Sequence, residues 1–535
     1  MVNYKIFNIS FLFYGSLESD MEFNKSKQEL TKSNTTLQNE GGDENKKGFG
    51  LGLRHVQALL LFFCFFETFF LRINLSVGIV SMTNKNSSNP DFHVKDGSNE
   101  EKKLSYLKET HSLENSSVPQ RKKYYFFEEF GWTENQKSAI LSSFFWGYLV
   151  IQAPAGQLGQ YFSPKLLLLG ANLISAVLAG LTPTASYVGG WKLLCALRVI
   201  QGLCQGFAVP LSYKLISKWA PPNERNRYVG FSLNGGTLGA TAAMPLCGLL
   251  ASSSGGWPSI FYFSGLLGIT WCALWAWFAA DSPAKHHSIS PEEKAYIENS
   301  LVHVSQDEEP KTPWSQIFTS IPFWALIFAH LGNGWAFAMI ITEMPSYINS
   351  VLQFNIATNG ILSALPYLAM WLLTFPVCWL ADYLQKNKIV PNSVVRKLWT
   401  TIAQSGGAIM LVSMGFVGRD AVAAMTLLII TVALASFLFS GYNINHLDLS
   451  PNYAGVLMGI ANGLENITTI LAPLTVGWVV EDTRSVEQWR IVFIISAIVS
   501  ITGNTIFVLF GSTDIQPWNT IDQKPKKNEN NQSIP

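Results

Sequence analysis

The sequence predicts an all-α polytopic membrane protein of twelve transmembrane helices in two six-helix halves. Three observations predict it. Charged residues make up 14% of the chain, against about a quarter in an average soluble domain, while apolar residues reach 48% and Phe, Trp and Tyr together 13%. Apolar runs of about twenty residues, long enough to cross ~30 Å of hydrocarbon, recur along most of the chain. They fall into two groups separated by one polar break at 281–316. A net charge of +1 argues against a nucleic-acid partner. The six cysteines (Cys64, Cys195, Cys204, Cys247, Cys272 and Cys378) lie inside apolar segments and read as small apolar filler, with no metal cluster implied.

Residues 1–50 read as a disordered cytoplasmic tail, in which IFNISFLFYG is too short to span and Met21 offers a second start. The first span, at 56–82, carries Glu67 and Arg72 inside its apolar run. A polar loop at 83–136 follows, with glycosylation sequons at Asn86 and Asn115 that assign it to the extracytoplasmic side. Runs near 138–158, 165–187, 191–216, 228–252 and 258–280 complete a first half over 51–280. The central loop contains an amphipathic helix in SPEEKAYIENSL. Runs near 321–348, 358–381, 398–417, 421–442, 453–480 and 489–511 form a second half over 317–512, and 513–535 is a polar cytoplasmic tail. Lys214, Lys218, Arg225 and Arg227 follow the fourth span, and Lys386, Lys388, Arg396 and Lys397 the eighth. These short basic loops put both termini and the central loop in the cytoplasm.

The halves echo one another. Pro154, Leu158, Gln160 and Tyr161 recur as Pro376, Leu380, Asp382 and Tyr383, and Ile140-Leu141-Ser142 recurs as Ile361-Leu362-Ser363. Parallel repeats of this kind place a substrate site near the membrane midplane between the halves. The most informative stretch is LRVIQGLCQGFAVPLSYKLISKWAPPNERNR at 197–227. Arg198, Gln201 and Gln205 share one helical face, and Gly202 and Gly206 let a neighbouring helix come close. An arginine at membrane depth must face protein, water or a bound anion. The glycine-rich GGTLGA at 235–240 lies within a span and reads as packing.

An ordered series of motifs carries a family resemblance: RINLSVGIVSM (72–82), FFWGY (144–148), RVIQGLCQG (198–206), KWAPPNER (218–225), ITEMPSYI (341–348), LSALPYLAMW (362–371), NINHLDLSP (443–451) and MGIANG (458–463). The chain resembles the anion:cation symporters of the major facilitator superfamily, the group of sodium-phosphate cotransporters, sialin and vesicular glutamate transporters, over nearly all of 50–518. The resemblance implies that Arg72 and Arg198 face a central cavity and bind the substrate's anionic group. A guanidinium suits this because it stays charged and offers a planar fork. The alternatives are an ion pair with Glu67 or Glu343, or snorkelling to an interface.

Departures narrow the reading. Vesicular glutamate transporters and sialin carry a proton-sensing Glu where this chain has Gln205, and an amide cannot titrate. The glutamate transporters also have a His where Leu141 stands and an Arg where Asn333 stands. Gln205 resembles the sodium-phosphate branch, and it is expected to face the cavity as a substrate-binding residue beside Arg72 and Arg198. Glu67 and Glu465 match no family pattern; each is a candidate cation or proton coupling site, with buried structural acid as the alternative. His330, Asn333, Asn443, Asn445 and Asn462 are the second half's polar cavity candidates, with Asn443 and Asn462 expected to contact substrate or sodium and interhelical hydrogen bonding as the alternative. His446 and Asp448 lie near a helix end and read as serving gating or the cytoplasmic loop. The loop after the second span, GQLGQYFSPK, lacks most charges of the usual gating latch while the loop after the eighth keeps Asp382, so that latch is expected to be lopsided or weakened.

The expected function is secondary active anion transport by alternating access, most specifically sodium-coupled inorganic phosphate cotransport, with no cofactor beyond the coupling sodium and no enzyme activity. The alternatives are a proton- or potential-driven carrier of organic anions and a non-transporting receptor or scaffold. The expected partners are a small anion, a coupling cation and the lipid bilayer. A monomer is expected, and neither tail shows an acidic-dileucine signal, which favours the plasma membrane.

Overall fold

The computed structural model describes residues 52–83, 130–301, 311–352 and 356–519. Among them every regular element is helical. The first half comprises α1 (Leu53–Met82), α2 (Glu134–Tyr161), α3 (Pro164–Gln205), α4 (Ala208–Trp219), α5 (Arg225–Ala251) and α6 (Pro258–Phe278). The central connection contributes α7 (Pro291–Ser300) and α8 (Trp314–Thr319). The second half comprises α9 (Ile321–Ser350), α10 (Ile356–Lys386), α11 (Asn392–Thr401), α12 (Gly407–Met414), α13 (Ala421–Leu434), α14 (Tyr442–Leu449), α15 (Ala454–Val479) and α16 (Val486–Phe510).

These elements make the twelve expected crossings. The third and fourth meet inside α3 at Gly190, whose φ of 56° only glycine adopts without strain, and α4 extends the fourth. A π-turn at Ile402–Gly406 joins α11 to α12 in the ninth, and a 3₁₀ turn at Ala435–Phe439 links α13 toward α14 in the tenth. Eight helical stretches among the described residues are apolar and long enough to cross a membrane by themselves, Pro164–Trp219 counting as one. The fifth, ninth and eleventh crossings fall short of that measure. They are glycine-rich, broken or polar, and packing against neighbours holds them. Several helices start where local chemistry says: Thr133 and Gln136 form a capping box on α2, and Ser163 caps α3 ahead of Pro164.

The seams follow the glycines. A Cβ on Gly202 would strike the carbonyl oxygen of Phe144, and one on Gly147 that of Val199, so the expected close neighbour of the fourth span is α2. Gly235 and Gly239 meet the Phe62 and Phe66 carbonyls of α1 in the same manner, which is the packing use read from GGTLGA. Between halves, α5 packs on α10 and α2 on α15. The fifth crossing of each half thus meets the second crossing of the other, the arrangement a duplicated six-helix unit produces. The six cysteines are all free thiols. Asn86 and Asn115 lie outside the described residues.

Candidate functional site

A cavity of about 270 Å³ lies between the halves, walled by α1 and α5 on one side and by α9, α10, α14 and α15 on the other. From mid-depth it runs along Ile340, Met344 and Ile348 of α9, away from the end that carries α7. Its lining is mostly apolar: Phe65, Phe69, Ile73, Phe337 and Met370 are representative, with Thr237, Thr241, Asn333, Asn443, Asn462 and Glu465 as polar exceptions.

The arginines stand at the first-half wall, behind the cavity's lining residues. The guanidinium of Arg72 lies 4.7 Å from the ring centre of Phe69, 5.2 Å from Phe144 and 4.6 Å from Tyr148. Cation–π contacts of this kind hold a cation in apolar surroundings without neutralising it. Its Nε is buried with no hydrogen-bond partner. Arg198 is 4% exposed and lies 5.2 Å from the other arginine's neighbour, Phe144. It donates to the carbonyl oxygens of Leu71 at 3.3 Å and Arg72 at 3.1 Å, and to Gln201 Oε1 at 3.2 Å. Arg198 therefore fixes the α1 backbone at Arg72. Among the described residues neither arginine pairs with Glu67, Glu343 or any other carboxylate.

The predicted polar face of the fourth crossing is spent inside the first half. Gln201 donates to the Ser175 carbonyl at 3.3 Å, and Gln205 Nε2 to Ser175 Oγ at 3.2 Å, with Gln205 Oε1 unpartnered. Gln205 thus faces the third crossing and is not among the cavity's lining residues. Glu67 is also turned away: its two oxygens are buried without partners, next to Gly268 of α6.

The second-half wall gathers the residues that sequence reasoning had scattered. Glu465 Oε2 lies 2.7 Å from His330 Nδ1, and Asn333 Nδ2 donates to Oε1 at 3.1 Å. His330 Nε2 meets His446 Nε2 at 3.2 Å, and His446 Nδ1 meets the Asn443 carbonyl oxygen at 3.1 Å. Asn462, one turn before Glu465, donates to the Tyr148 hydroxyl at 3.2 Å and so ties this wall to the aromatic cage around Arg72. Asn445 donates instead to the Ser512 carbonyl at 2.8 Å, on the side away from the cavity. His446 and Asp448 sit two apart on α14, and that spacing puts them on different helical faces. His446 joins His330, whereas Asp448 accepts from Arg396 at 2.7 Å.

The end that carries α7 is closed by a two-part latch. Asp382 accepts from the backbone and side chain of Asn226, at 3.2 and 2.7 Å, and from the backbone and Nε of Arg227, at 3.0 and 2.8 Å. A carboxylate on the first turn of α5 also meets the positive end of that helix. At the repeat-related position Gln160 donates to the Asn452 carbonyl at 2.9 Å and accepts from Lys214 at 2.6 Å. The latch is lopsided, as its charges predict, yet both parts are made.

Residues 122–473 match the Major Facilitator Superfamily. The chain belongs to that superfamily. It is 36% identical over 478 residues, 89% of this chain and 88% of the relative, to a Drosophila melanogaster protein named "Putative inorganic phosphate cotransporter". It is likewise 36% identical over 465 residues, 87% of this chain and 90% of the relative, to human sialin. Similarity at this level over most of both chains sets it in the phosphate cotransporter, sialin and vesicular glutamate transporter family. Among solved structures, the proton:xylose symporter XylE bound to 6-bromo-6-deoxy-D-glucose aligns over 88% of this chain and 97% of its own, with a TM-score of 0.63 at 12% identity. That likeness shows the shared fold. The family and fold are those of membrane transporters, not of enzymes.

Proposed function

We propose that this chain is a secondary active transporter that moves inorganic phosphate by alternating access, together with a coupling cation. The observation that carries the anion half is the pair of guanidinium groups facing Phe144, with Arg198 anchoring the backbone that presents Arg72. The latch supports alternating access, since its partners come from opposite halves and must part for the cavity to open at that end. The amide at Gln205 argues against a proton at that position, so the coupling cation is sodium or a proton bound elsewhere. The basic loops favour cytoplasmic termini, and the plasma membrane is the expected location.

A second reading has specific support. The cavity's apolar lining suits the body of an organic anion, such as a sugar acid or aryl anion, driven by protons or membrane potential. Labelled phosphate uptake into proteoliposomes under inward sodium, inward proton or no gradient separates the readings, with Arg72→Ala and Arg198→Ala beside the wild type. Phosphate uptake driven by an inward cation gradient and abolished by both substitutions is the expected result. Absence of phosphate uptake under every gradient sinks the phosphate reading, and uptake of glucuronate under an acid gradient replaces it with the second.

A further inference from the structure

The second-half wall contains a hydrogen-bonded file that anion binding leaves unused. It has three contacts in series: Glu465 to His330 at 2.7 Å, His330 to His446 at 3.2 Å, and His446 to the Asn443 carbonyl at 3.1 Å. Each contact needs one hydrogen between its heavy atoms. Two neutral imidazoles and a carboxylate supply only two, because the carbonyl can only accept. The file is complete only with one further proton. That proton cannot sit on Glu465 Oε1, which accepts from Asn333.

We propose that Glu465 and His330, backed by His446, form the proton-binding site through which this carrier couples anion movement to a proton gradient. The proposal rests on the anion-carrier reading and holds for either anion. With its extra proton the file is neutral, and an anion can be held across the cavity at Arg72. Loss of the proton leaves one negative charge on the cavity wall, which opposes the anion. Proton and anion therefore bind best together, which is symport. The proton comes from water at the open end and returns to water on the other side; only an O–H or N–H bond forms and breaks. A proton fits better than sodium, because both carboxyl oxygens are engaged by nitrogen groups and a hard cation requires a shell of oxygens.

The groups facing the file from neighbouring elements are few. From α14 the Tyr442 ring lies edge-on to His330 at 4.4 Å, and from α4 the Tyr213 ring edge-on to His446 at 5.6 Å. From α2 comes Tyr148, bonded to Asn462, with Arg72 of α1 over its ring. Arg72 is the one charged group in that set, and it is the group expected to hold the anion.

The test uses the full chain and Glu465→Gln, whose amide can still donate to His330 and accept from Asn333, so the wall keeps its bonds without the proton. In proteoliposomes, labelled phosphate and labelled glucuronate are followed in counterflow at equal pH and in uptake under an inward proton gradient. Expected is counterflow that survives the substitution while acid-gradient stimulation falls by roughly tenfold, inside the range usual for site-to-site coupling. Equal acid stimulation in both proteins overturns the proposal, as does wild-type uptake that responds to sodium and ignores the proton gradient. Absence of counterflow for both anions defeats the carrier reading instead. A readout free of substrate is infrared difference spectroscopy across a pH titration, in which Glu465→Gln removes one titrating carboxyl signal; identical difference spectra overturn the proposal whatever the anion.

Discussion

The two walls of the cavity are built on duplicated helices and carry opposite chemistry. The first half presents a guanidinium among three aromatic rings, with a second guanidinium holding the backbone behind it. The second half presents a carboxyl in file with two imidazoles. The same contrast recurs at the latch, where Asp382 grips the start of α5 through four donors while Gln160 bridges Lys214 and the carbonyl just before α15. A duplicated backbone sets where a side chain stands; the choice of side chain then lets one half hold charge and the other respond to it.

The largest effect is expected from Arg72→Ala. Truncating a partly buried charge that faces an opposite one costs about 2–5 kcal/mol, so anion counterflow should fall by roughly 30-fold or more. Arg72→Lys should recover only part of it, since an ammonium lacks the planar face that stacks on Phe144 and Tyr148. Full activity in Arg72→Ala would move the anion site off the first-half wall. Next is Asp382→Ala, which strips four hydrogen bonds from the N-terminus of α5. Arg227 is half exposed, so the loss is that of hydrogen bonds to a buried carboxylate, about 1.5–3 kcal/mol, and the thermal midpoint in detergent should drop by several degrees. Gln160→Ala removes two bonds between neutral or singly charged partners, about 1–3 kcal/mol, and should lower the midpoint less than Asp382→Ala. An equal or larger drop would show the latch to be symmetric after all. Smallest of all is Gln160→Asp, which makes the two halves alike: it loses the donor to the Asn452 carbonyl but sets a carboxylate toward the buried Lys214 ammonium, and because the two changes oppose one another the midpoint should move less than in Gln160→Ala.

Much of the fold was legible because membrane helices announce themselves by length and apolarity, and the glycines at 202, 235 and 239 could be read as seams before their partners were known. The candidate site was half legible. Arg72 and Arg198 stand out because a charge inside an apolar run is costly. Their division of labour was hidden, since hydrogen bonds from Arg198 to the Leu71 and Arg72 carbonyls join residues more than a hundred positions apart. Gln205 looked like a cavity residue from its helical face, and that face turned out to meet Ser175. Glu67 and Glu465 were indistinguishable in sequence. One is enclosed beside Gly268, and the other faces His330.

By itself the sequence determined that the chain spans the membrane repeatedly, that it repeats in two halves, and that an arginine pair and two acids lie at membrane depth. Periodicity and hydrophobicity are local properties, and burial cost acts residue by residue. Only the tertiary structure decided which polar groups meet: Glu465 on α15, His330 on α9 and His446 on α14 come from three helices, and their rotation and depth follow from how the bundle packs. A hydrogen bond depends on tenths of an ångström between side chains, and no spacing along one helix encodes a distance to another.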